Sequence, residues 1–139
     1  MAKLVKKKYI SIQTKIARIY KESLELWKFA CYKMWGGECI FSGTTEGVVF
    51  HHFILKSKNV RMRLDPMNGV PMRNQKEHFM IHHGNNPDKI AELYADIKRK
   101  RGQEWCDYID KTKAIDNRNF LTLTNIKAQR QALKDYLED

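Results

Sequence analysis

All five histidines of the chain fall in one central stretch: His51, His52, His78, His82 and His83. Imidazole is the usual neutral metal ligand and the usual base near pH 7, so such a cluster is what a metal-dependent reaction requires. Spacing sorts the five. His51 and His52 are neighbours in an apolar run that reads as a strand, where successive side chains point to opposite faces. One can face a metal while the other faces a reacting water. His78 and His82 are four apart in a segment that reads as a helix, so they share a face and can bind one ion together. Three imidazoles, His51, His78 and His82, leave coordination positions open for a phosphate oxygen and water, the ligand count of a catalytic site. A one-residue shift would exchange His82 for His83; the four-residue step favours His82.

Cations surround these histidines. Lys56, Lys58, Arg61, Arg63, Arg73 and Lys76 are opposed only by Asp65 and Glu77. A phosphodiester substrate needs such charges to neutralise its phosphates. Arg61 and Arg63 are the first choices for phosphate contact, since they share a face if that stretch is extended. A second basic run, Lys98 to Arg101, reads equally as an exposed helix end or as DNA contact. Asn68 precedes Gly69 and on its own reads as a turn residue.

Taken in order, three stretches carry a resemblance: His51-His52-Phe53-Ile54-Leu55-Lys56-Ser57-Lys58, then Asp65-Pro66-Met67-Asn68-Gly69-Val70-Pro71-Met72, then Glu77-His78-Phe79-Met80-Ile81-His82-His83. The set resembles the HNH nucleases, whose ββα-metal finger has a histidine pair on its first strand, an asparagine before its second, and a pair of histidines on its helix. The resemblance covers about residues 36–86. Arg63-Leu64-Asp65-Pro66-Met67-Asn68 is further similar to the phage recombination endonucleases of the lambda Rap type. The resemblance implies that His52 is the general base, that His51, His78 and His82 hold one divalent metal, and that Asn68 fixes the loop so that His52 points correctly. It implies hydrolysis of DNA to a 5′ phosphate and a 3′ hydroxyl, with a branched or recombination intermediate as a plausible substrate. Imidazole ligands suit Zn²⁺, Ni²⁺, Co²⁺ or Mn²⁺; Mg²⁺ prefers oxygen but is used in the family. Two alternatives stand: a finger that binds nucleic acid without cutting it, and a sequence-specific homing or restriction nuclease. Many relatives also carry two Cys-x-x-Cys pairs around a structural zinc. Here Ser42 stands where the partner of Cys39 would be, and Arg73 and Glu77 occupy the neighbourhood of the later pair. No structural zinc is expected, so flanking helices must brace the finger.

The elements that would position these residues follow from pattern. Ile12, Ile16, Ile19, Tyr20, Leu24, Trp27 and Ala30 or Cys31 mark one helix over residues 11–35, capped by Ser11 and stopped by Gly36-Gly37. Val48 to Phe50 and Phe53 to Leu55 read as one strand around the histidine pair, and Val70 to Met72 as a second. Residues 73–83 read as a short helix ending at Gly84. Asn86-Pro87-Asp88 starts another helix, with Ile90, Leu93, Tyr94 and Ile97 on one face and an interruption at Lys98 to Gly102. Trp105, Tyr108 and Ile109 resume the spacing, and a last helix runs from about residue 119. Trp27, Trp35 and Trp105 read as core rather than base-stacking platforms. The fold expected is α+β: one domain over residues 1–139, with a ββα-metal finger at about 36–86 between helical flanks at 11–35 and 87–138.

Composition limits the partners. The chain has 139 residues, a formal charge of +10, 42% hydrophobic and 30% charged residues. That suits one globular domain. The pI near 9.6 points to an acidic partner, most simply DNA, and less to a membrane surface. No apolar run is long enough to span a bilayer. The basic start, Met1 to Ile10, leads into no apolar segment and reads as the approach to an amphipathic helix rather than a secretory signal. Cys31, Cys39 and Cys106 form an odd set without paired spacing, which fits buried thiols in a reducing compartment such as the cytoplasm. A homodimer is left open.

Overall fold

The computed structural model describes residues 9–139, so the basic start at residues 1–8 lies outside the described residues. The fold is mixed α+β, with helices around a two-stranded antiparallel sheet. Helix α1 spans Ile12–Trp35, with Ser11 accepting a hydrogen bond from the Thr14 amide at its start. Gly36 ends it at φ 79°, a conformation that favours glycine. Strands β1 (Val48–His52) and β2 (Gly69–Arg73) pair with His51 opposite Val70 and His52 opposite Gly69. A π-helical turn, Asn74–His78, leads into the short helix α2, Phe79–His83. Helix α3 (Pro87–Arg101) is capped by Asn86, and Gly102 at φ 90° breaks it from α4 (Gln103–Lys113). Helix α5 (Leu123–Glu138) is capped by Thr122 and lies against α1.

The sheet separates two apolar clusters. Met62, Val70, Met72, Ile97, Trp105 and Ile109 pack on the α3–α4 side. Trp27, Ala30, Cys31, Leu64, Ile126 and Leu133 pack between α1 and α5. Strand alternation therefore turns His51 toward α3 and His52 toward α1. Gly69 is needed on the α1 side: a Cβ there would stand 2.4 Å from Cys31 Sγ and 3.2 Å from Trp27 Cζ2.

Trp27 and Trp105 are core, as the spacing implied, while Trp35 is half-buried against both clusters; each also donates a hydrogen bond. Trp27, Trp35 and Trp105 give their indole N–H groups to the carbonyls of Asp65, Pro66 and Met67, at 2.9, 2.9 and 2.8 Å. Three consecutive carbonyls of one tight turn are thus tied to two helices; those of Asp65 and Pro66 also accept the amides of Asn68 and Gly69 within the turn. Arg101 completes the clamp. Its guanidinium lies 3.5 Å from the centre of the Trp35 ring and donates to the Gly69 carbonyl.

Three expectations are corrected. Strand β1 stops at His52 instead of reaching Leu55, because the Asn68 side chain takes both the N–H and the carbonyl of Ile54. Residues 61–64 form a 3₁₀ turn instead of an extended stretch, so Arg61 and Arg63, at about 120° per residue, do not share a face. The short helix after β2 begins as a π turn, with the Phe79 amide bonding the Asn74 carbonyl.

Candidate metal centre

His51, His78 and His82 converge. Each offers a ring nitrogen, and these atoms lie within 4.8 Å of one another. The three rings pack edge to face, at centroid distances of 5.4, 5.2 and 4.5 Å. His51 is 1% exposed and forms the floor; His78 is half-buried and His82 is exposed at the mouth. His83 stays outside the trio, tilted against Phe79.

Two of the rings are oriented by partners of their own. His51 Nε2 and the Tyr94 hydroxyl of α3 are hydrogen-bonded at 2.9 Å, which leaves Nδ1 for an ion. His78 Nδ1 meets Asn74 Oδ1 at 3.0 Å. An amide oxygen only accepts, so Nδ1 carries the proton and Nε2 keeps its lone pair. Burial first, then the neighbouring His78, His82 and His52, push the pKa of His51 down to about 3. Burial and then His82 and His83 lower that of His78. Neutral imidazole is the ligand form, so the donor set fits a divalent ion with positions left open. Imidazole donors alone do not single out one metal.

His52 faces the other way. Its ring lies parallel to the Trp27 indole, with centroids 4.0 Å apart and planes at 8°. Its Nε2 is 2.8 Å from the Arg63 carbonyl. A carbonyl only accepts, so Nε2 carries the proton and Nδ1 the lone pair. Burial pushes its pKa down to about 4, against the opposing pull of the Arg63 carbonyl. The ring lines the same cleft as the trio, a space of about 840 Å³ walled by α1 on one side and α2 on the other.

Asn68 is fully buried, and its side-chain hydrogen bonds go to Ile54 and Met62, not to a histidine. Its Oδ1 accepts from the Ile54 amide at 2.7 Å, and its Nδ2 donates to the carbonyls of Ile54 and Met62 at 3.0 and 3.1 Å. The side chain closes the 53–68 loop and so sets the position of the Arg63 carbonyl against which His52 rests.

The expected ring of cations does not assemble. Of the six, only Lys56 lines the cleft. Arg61 turns away, stacking 4.2 Å from the Phe120 ring centre and reaching the Asp116 carbonyl. Arg63 donates to the Lys56 carbonyl and lies over Tyr20. Arg73 forms a forked ion pair with buried Glu77, which also accepts from Cys39 Sγ at 3.1 Å. Burial raises the Glu77 carboxyl, but the hydrogen bonds from Arg73 and Cys39 outweigh it and hold the pKa below the ordinary value. Lys58 and Lys76 are exposed outside the cleft lining. In the second basic run, Arg99 pairs with Asp96, Lys100 donates to the Ile40 carbonyl, and Arg101 is held by the tryptophans.

Trp27, Lys28, Asn74 and Tyr94 are the cleft and orienting residues that the motif did not reveal. Asn74 stands four residues before His78, a spacing that could have flagged it. Trp27 and Tyr94 read as apolar helix faces, and nothing local separates an orienting aromatic from a packed one. Compared with protein-family models, curated proteins and solved structures, the chain matches none.

Proposed function

We propose that the chain is a metal-dependent endonuclease of the HNH kind, hydrolysing DNA phosphodiester bonds with one divalent ion. The carrying observation is the strand-borne pair: His51 joins two helix-borne imidazoles, while its neighbour His52 lines the same cleft with a lone pair at Nδ1. On this reading β1, β2 and α2 with its π turn are the ββα finger. His51, His78 and His82 hold the ion. Bound there, it supplies charge stabilisation to the scissile phosphate and the departing 3′ oxygen. His52 Nδ1 accepts the proton of the attacking water. The water oxygen bonds to phosphorus as the P–O3′ bond breaks, and the departing 3′ oxygen takes a proton from solvent, giving a 5′ phosphate and a 3′ hydroxyl. Asn68 keeps the loop closed behind His52, a positioning role. Lys56 and Lys28 line the cleft and attract the phosphate backbone, with Lys58 and Lys76 as outlying charges. The formal charge of +10 supports an anionic partner. By resemblance, the substrate is a branched or recombination intermediate.

The test is cleavage of supercoiled plasmid, then of linear, nicked, flapped and four-way-junction DNA, with Zn²⁺, Mn²⁺, Ni²⁺, Co²⁺ or Mg²⁺ and with chelator. Metal-dependent nicking that disappears in His52→Ala is the expected result. Metal and DNA binding without cutting under every ion would make the chain a binding finger instead.

A further inference from the structure

We infer that Trp27, on the helix before the finger, is a positioning residue that holds the His52 imidazole in one orientation and one tautomer. The inference rests on the endonuclease reading for its purpose, but not for its geometry. A histidine used through one ring nitrogen must not flip about its χ2 axis, since a flip exchanges the positions of Nδ1 and Cδ2. A hydrogen bond from Nε2 to a carbonyl restrains this only as long as the carbonyl stays in place. Two contacts supply the rest. The Trp27 indole covers one face of the imidazole at 4.0 Å and 8°, which sets the ring plane. The same indole donates from Nε1 to the Asp65 carbonyl at 2.9 Å, two residues beyond the Arg63 carbonyl that receives His52. One side chain thus grips both the ring and the turn that carries the ring's acceptor. Trp27 is itself 1% exposed, and Gly69, the cross-strand partner of His52, has no Cβ to keep the indole off the sheet.

The test compares Trp27→Leu, which removes the flat face and the N–H, with Trp27→Phe, which keeps a flat face. Wild-type and variant proteins are loaded with zinc, and ¹⁵N-histidine long-range correlation spectra report the tautomer of each ring, with His52→Ala identifying the His52 signals. Wild type and Trp27→Phe are expected to show a single Nε2–H tautomer for His52, and Trp27→Leu an averaged pair of nitrogens. Plasmid nicking should lose about 10²-fold in kcat in Trp27→Leu, the scale of a misplaced catalytic group. KM and zinc affinity should stay unchanged, and Trp27→Phe should restore most of the rate. A folded Trp27→Leu with a single His52 tautomer and undiminished kcat would overturn the inference. Should Trp27→Leu fail to fold, Trp27→Met, of similar volume but longer and more adaptable, fits the irregular space without a flat face and decides the same point. If wild type cuts no DNA, the endonuclease reading fails, while the spectra still decide whether Trp27 orients His52.

Discussion

His51 and His52 are adjacent in sequence and alike in chemistry, yet they sit in opposite surroundings. His51 turns toward α3, meets the Tyr94 hydroxyl and closes a trio of nitrogen donors. His52 turns toward α1, stacks on Trp27 and bonds a backbone carbonyl. On the endonuclease reading, the two-residue alternation along one strand becomes a division of labour. The hairpin reaches a different helix on each side, and each ring takes its partner from that helix.

The largest expected difference between the two sides is in rate. On the endonuclease reading, His52→Ala lowers plasmid cleavage by about 10²–10⁴-fold while the rise in melting temperature on adding zinc is preserved. An equal loss of both would erase the division. Next is the metal. At a hundredfold excess over its Kd, a bound ion should stabilise the wild-type fold by about 2.7 kcal/mol. In His82→Ala that gain should vanish in a thermal melt, while stability without metal changes by less than about 0.5 kcal/mol because His82 is exposed.

A smaller effect sharpens the His51 side alone. Tyr94→Phe removes the hydroxyl that orients His51 and should weaken metal affinity by about 10–100-fold, measured by competition with a chromophoric chelator. Cleavage at saturating metal should survive, because His52 is held from the other helix. The smallest effect concerns DNA. Lys56→Ala should reduce the slope of log affinity against log salt by about 0.9, the share of one phosphate contact, when binding is measured on His52→Ala protein. Arg61→Ala should leave that slope unchanged and instead lower the melting temperature, since its guanidinium packs on Phe120.

What was legible in the sequence was local. Ser11 and Gly36 marked the ends of α1 because caps and glycine stops act over one turn. The His78–His82 step survived the π turn because both residues stay on the final helical turn and a half. What was not legible depended on chain segments far apart. Asn68 reaches back to Ile54 and Met62 and folds the intervening loop into 3₁₀ turns, which re-aimed Arg61 and Arg63. Trp27 meets Asp65 across 38 positions, and no short-range pattern announces such a pairing. Arg73 was a different kind of miss. Glu77 stands four residues on, at the spacing of a helical ion pair, and this buried carboxylate also takes a hydrogen bond from buried Cys39.

The three indole N–H groups on the carbonyls of residues 65–67 give the molecule a built-in optical reporter. The chain has three tryptophans, and all of them end on this one turn. Ultraviolet emission excited at the red edge of the protein band therefore samples a single locality instead of averaging over the chain. Any event that loosens the turn, whether denaturant, chelation or a docked polymer, alters the polarity around every emitter at once.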